Sequence, residues 1–220
     1  MQLLLPFDGS EAALQACRLV AGYRGDASRL RPTLLNVHRA PVQLWPEAGL
    51  NVAVLEEALQ KEGHATLAAA REVLAQAGLQ ADTIVRIAPP AEGILDVARE
   101  QDAGAIVMGT RGHGLLAGYA VGSVALRVAP AAPCPVVLTK PGGTLPAEWG
   151  RRLRVLAPLD GSEAATQAVR RLVEWRELLG EMHVDLAHFA PALPYLAQVM
   201  PPHDDAVRSW SGREAEAAVE

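Results

Sequence analysis

The chain has 220 residues and a formal net charge of −5, with 50% hydrophobic, 20% charged and only 4% aromatic residues. That apolar share excludes an intrinsically disordered chain, and the acidic balance excludes a protein that holds nucleic acid by neutralising its phosphates. No apolar run approaches the ~20 residues needed to cross a bilayer. The N-terminus has no signal-peptide pattern, and Cys17 and Cys134 make neither a disulfide framework nor a metal quartet. The expected setting is cytoplasmic, with neither membrane nor nucleic acid as partner.

Leu3–Phe7 reads as a short buried strand. Ser10 is an N-cap, Glu11 suits the positive end of a helix, and Leu14, Cys17 and Ala21 recur at helical spacing. Thr33–Val37 is the second strand, and Glu47–Gly78 is a long helical region. Thr83–Ile87 follows as strand three, Glu92–Gln101 as a helix and Ala105–Met108 as strand four. Gly122–Ala129 is a short helix and Val136–Thr139 is strand five. Strands alternating with helices imply an α/β fold, a parallel sheet with helices on both faces.

The start of the chain then returns. Leu5-Pro6-Phe7-Asp8-Gly9-Ser10-Glu11-Ala12-Ala13 reappears as Ala157-Pro158-Leu159-Asp160-Gly161-Ser162-Glu163-Ala164-Ala165. A second echo sets Val37-His38-Arg39-Ala40-Pro41 against Ala187-His188-Phe189-Ala190-Pro191. The spacing is far too long for a solenoid and suits a tandem domain. Residues 1–141 form the first domain, 142–150 a Gly/Pro linker, and 151–220 a truncated second copy. That copy reads as strand (Val155–Leu159), helix (Ser162–Leu179), strand (Val184–Ala187) and a tail helix from about Asp204. It keeps the Asp-Gly-Ser signature and lacks any glycine loop.

Chemistry points to the stretch after strand four, Gly109-Thr110-Arg111-Gly112-His113-Gly114, which continues to Gly122-Ser123. A parallel strand that ends in glycines and leads to a helix start offers free N–H groups and a positive dipole to an anion. The bland alternative is a surface loop with a helix cap. No G-x-x-x-x-G-K-[ST] loop exists, and Asp8-Gly9-Ser10 stands where a dinucleotide fold would have G-x-G-x-x-G. His113, His38, His188 and both cysteines are read as non-catalytic, and no metal ligand set is expected.

From Pro6-Phe7-Asp8-Gly9-Ser10 through Val37 to Ala132-Pro133-Cys134-Pro135-Val136-Val137, the first copy resembles the universal stress protein family. Members that bind ATP carry G-x2-G-x9-G-[ST], and Gly109, Gly112, Gly122 and Ser123 fit it without a gap. The resemblance implies a five-stranded parallel sheet in the order 3-2-1-4-5, with a ligand crevice at the switch point between strands one and four. It also implies ATP as ligand, with or without Mg2+. Asp8 and Val37 would lie at the adenosine end, with Pro6 and Phe7 beside them among the nucleotide-binding residues. Met108, Gly109, Arg111 and Gly112 would border the ribose and phosphates, and Gly122, Ser123 and Val124 would hold the phosphate tail.

The expected function is an ATP-binding stress protein that regulates through its nucleotide state. The alternatives are a slow ATPase or phosphoryl- or adenylyl-transfer enzyme, and an oligomeric adaptor without nucleotide. Val136–Thr139, last in the implied strand order, is an open edge expected to join two copies as a homodimer.

Overall fold

The computed structural model describes residues 1–39, 52–110, 121–143 and 145–188. They divide into two compact units, Met1–Ala147 and Glu148–Glu220.

In the first unit, β1 (Gln2–Pro6), β2 (Arg31–His38), β3 (Asp82–Ile87), β4 (Ala105–Gly109) and β5 (Val136–Thr139) form one parallel sheet in the order β3-β2-β1-β4-β5. Helices α1 (Glu11–Ala21) and α2 (Val52–Gln76) share one face, and α3 (Pro90–Glu100) and α4 (Ser123–Ala131) the other. Both faces of the central strands are therefore covered. A doubly covered parallel strand reads as a continuous apolar run, which is why Leu3, Leu4, Leu5, Leu34 and Leu35 stand side by side and are all buried. On the α3/α4 face, Leu4, Leu35 and Ile106 meet Ile94, Val97 and Val128 in one core.

Several boundaries differ from the sequence pattern. Helix α3 opens at Pro90 rather than Glu92, because a proline at the first helical position needs no N–H partner. Strand β2 reaches back to Arg31, where polar residues pair in the ladder without contributing apolar pattern. The described part of α2 starts at Val52 and stops at Gln76, with Gly78 in a left-handed conformation after it.

In the second unit, β6 (Arg152–Leu159) and β7 (Glu181–His188) form a two-stranded parallel sheet. The single helix expected over Ser162–Leu179 is broken at Trp175 into α5 (Glu163–Glu174) and α6 (Arg176–Leu179). Strand β6 alternates. Leu153, Val155, Ala157 and Leu159 are the more enclosed set, whereas Arg152, Arg154, Leu156 and Pro158 are exposed. Arg154 meets Asp185 at 3.2 Å and Arg152 meets Glu181 at 3.5 Å. The tail helix from Asp204 lies outside the described residues.

Candidate functional site

The crevice forms where β1 and β4 run side by side, paired Leu3 to Ala105 and Leu4 to Ile106, with their connections leaving toward opposite faces. At the end of β1 the chain leaves the sheet through Asp8-Gly9-Ser10. Asp8 Oδ1 accepts the Ser10 N–H at 3.0 Å, Gly9 takes φ +84°, and Ser10 Oγ accepts the Ala13 N–H at 3.3 Å as the N-cap of α1. A positive φ at the middle position suits glycine, and the serine satisfies a helix donor that would otherwise stay open. The Asp8 side chain is exposed.

Two interactions fasten this turn to β2. The Phe7 N–H donates to Leu35 O at 2.8 Å, and Asn36 Nδ2 donates to Phe7 O at 2.8 Å. A second set fastens it to β4 and β5. Gly109 lies so close to α1 that a Cβ there would stand 2.5 Å from the Ala12 carbonyl carbon. Thr139 Oγ1 donates to Ala12 O at 3.1 Å and lies 3.4 Å from Met108 O. Gly109 is thus demanded by packing alone, whatever else it does for a ligand.

Beyond β4, one residue, Thr110, is tied both to β5 and to the start of α4. The Thr110 N–H donates to Thr139 O at 2.8 Å, and Thr110 O accepts the Gly122 N–H at 2.5 Å. Gly122 is the N-cap of α4 and supplies no capping side chain; the first intrahelical bond runs from Leu126 to Gly122 O. Ser123, Val124 and Ala125 come before that bond, so their N–H groups form the positive end of the helix. The two helix starts at the crevice differ: α1 is capped by its own serine, and α4 has no side-chain cap.

The residues singled out from sequence fall into four sets. Asp8, Gly109, Gly122, Ser123 and Val124 lie at the carboxyl ends of β1 and β4 or at the start of α4. Pro6 closes β1, while Phe7 and Met108 turn their side chains into the core, so only their backbone can face a ligand. Val37 packs toward Gly93 of α3. Arg111, Gly112 and His113 lie outside the described residues.

Asn36 and Thr110 were not singled out. A polar residue closing the run Leu34-Leu35 was the available signal for Asn36. Asn36 Oδ1, Thr110 Oγ1 and His38 Nε2 are buried without a hydrogen-bond partner. His188, which the sequence echo aligns with His38, is not its counterpart in space. In the β6–β7 ladder it lies opposite Leu159, as Asn36 follows Leu35 to lie opposite Phe7.

Burial raises the Cys17 thiol to about pKa 12, so it is no nucleophile at neutral pH. Among the described residues, no group of three or more His, Cys, Asp and Glu could hold a metal ion, and no helix is long and apolar enough to cross a membrane. An open groove of about 560 Å³ lies along β3 and the start of α2, away from the crevice.

The family model of the universal stress protein family matches residues 1–140. Among curated proteins, the universal stress protein YxiE of Bacillus subtilis is 36% identical over 146 residues, covering 63% of this chain and 98% of its own. A universal stress protein of Thermus aquaticus is 34% identical over 140 residues, covering 63% and 97%. The crystal structure of a universal stress protein from Archaeoglobus fulgidus shares the fold at a TM-score of 0.62 and 18% identity, over 90% of this chain and 82% of that one. Together with the 3-2-1-4-5 sheet order, these matches show the family: the chain belongs to the universal stress proteins.

Proposed function

We propose that residues 1–141 bind ATP, with or without Mg2+, in the crevice between β1 and β4, and that the protein regulates a partner through its nucleotide state. The observation that carries this reading is the unbroken Gly109, Gly112, Gly122-Ser123 spacing, anchored at the switch point of the sheet. The described residues suit such a ligand. The start of α4 lacks a side-chain cap and favours the phosphates, while the Asp8 carboxylate stands at the end of β1. A carboxylate belongs beside ribose or adenine hydroxyl and amino groups, away from the triphosphate.

In this reading, residues 151–220 are a truncated copy that binds no nucleotide, because Asp160 has no glycine loop to face. The protein works in the cytoplasm as a homodimer. Support for the dimer is the free side of β5, which pairs only with β4 among the described residues and leaves Leu138 exposed.

Thermal melts with ATP, ADP and AMP test the site. ATP at a hundredfold its Kd adds about 2.7 kcal/mol of apparent stability. Gly122→Val abolishes the shift by placing a side chain at the phosphate end. An unchanged melting temperature with all three nucleotides defeats the reading.

A further inference from the structure

We propose that Asn36 is a positioning residue: its side-chain amide locks the Asp8-Gly9-Ser10 turn in the conformation that receives the nucleotide. The inference rests on the nucleotide reading above. Asn36 is 5% exposed and sits at the end of an otherwise apolar stretch of β2. Its Nδ2 donates at 2.8 Å to the carbonyl of Phe7, the last before Asp8. The N–H of the same Phe7 is already held by Leu35 O. As the chain leaves the sheet at Asp8, the Phe7 carbonyl would otherwise stay open in the interior; the amide supplies its partner. Because that carbonyl accepts, the other amide atom must be the oxygen. Asn36 Oδ1 is accordingly left buried without a partner. A residue retained merely to fill space would be apolar here, since an open buried acceptor is destabilising.

The second unit supports the assignment independently. His188 stands at the same rung of its ladder, opposite Leu159, and its Nδ1 lies 2.8 Å from Leu159 O. A carbonyl only accepts, so that nitrogen carries the proton. The turn that follows is the same, with Ser162 N–H on Asp160 Oδ1 at 2.9 Å and Gly161 at φ +78°. An amide and an imidazole share neither size nor shape, yet both place an N–H donor on the carbonyl before Asp-Gly-Ser. The donor is the feature the two units have in common.

Three variants of the full chain test this, read by ATP calorimetry and by hydrogen exchange at the Ser10 amide. Asn36→Leu weakens ATP binding about tenfold or more and speeds Ser10 exchange by a similar factor. Asn36→His, which copies the second unit, restores both to within about threefold of the parent. His188→Ala speeds exchange at Ser162 and leaves ATP affinity unchanged. ATP binding at parental strength in folded Asn36→Leu overturns the proposal. So does a folded Asn36→His that stays tenfold weak, and this variant decides if the leucine variant does not fold. If the parent chain binds no ATP, the nucleotide reading fails instead, and Ser10 exchange alone decides: no acceleration in Asn36→Leu rejects the lock.

Discussion

The two units begin with the same Asp-Gly-Ser turn and the same helix cap, but differ in how their strands are written. In the first, Leu3-Leu4-Leu5 is apolar on both sides, because β2 and β4 flank the strand and helices cover both faces. In the second, Arg152-Leu153-Arg154-Val155 alternates, and its charged side carries ion pairs to β7. Cross-strand pairing at the strand start changes in step. Gln2 donates to Thr33 at 2.7 Å, partly buried, while at the corresponding rung Arg154 meets Asp185 in the open. A local turn is encoded by its own few residues and survives either surrounding. A strand's alphabet is set by what covers it.

The largest consequence is at paired leucines. Leu4 and Leu156 occupy the same place before the repeated proline, yet Leu4 is 0% exposed and Leu156 69%. Leu4→Ala costs about 2–5 kcal/mol, as for a leucine removed from a packed core. Leu156→Ala stays within about 0.5 kcal/mol, as expected at a surface. Denaturant titration with residue-resolved hydrogen exchange separates the units. Comparable losses at the two positions would erase the contrast.

Alkaline pH separates the units next. Burial holds the Cys17 thiol at about pKa 12, against an ordinary value of 9.0, and the sequence has no cysteine in the second unit. The unfolded thiol ionises first. The first unit therefore keeps this contribution below pH 9 and loses about 1.4 kcal/mol for each pH unit above it, until the folded thiol also ionises near 12. Cys17→Ala removes this slope and leaves any slope from other groups. An unaltered alkaline profile in that variant would contradict the assignment.

Acid produces the smallest effect, and it falls on the second unit. Hydrogen bonds from Ser162 hold the Asp160 carboxyl below its ordinary 3.8, and Arg154, followed by His183, does the same for Asp185. A lowered carboxyl contributes stability above its ordinary pKa and loses it as pH falls through the lowered value. Protection of the Ser162 amide, taken against its intrinsic exchange rate at each pH, consequently falls below about pH 4. Asp160→Asn keeps the turn's acceptor and flattens that dependence; a profile identical to the parent would tie the turn to some other group.

Much of this was legible in the sequence, for reasons that can be named. The sheet order followed from the family resemblance, and the Asp-Gly-Ser turn was readable because each of its residues does a local job. Two features were not readable. The echo of His188 with His38 is two residues out of step with the ladder, because strand register is fixed by pairing across the sheet rather than by resemblance along the chain. The second role of Gly109 was equally hidden. Its close approach to Ala12 joins residues far apart in sequence, and a glycine required by packing looks the same on paper as one required by a phosphate.

The two hydrogen bonds at Thr110 have an evolutionary consequence. Its N–H is tied to β5 and its carbonyl to Gly122, the N-cap of α4, so the residues on either side of 111–121 are fastened together at Thr110. Whatever that stretch contains, β4, β5 and α4 receive it at the same gate. Mutation can then exchange the stretch like a cassette, changing its length and chemistry, while the sheet beneath keeps its register.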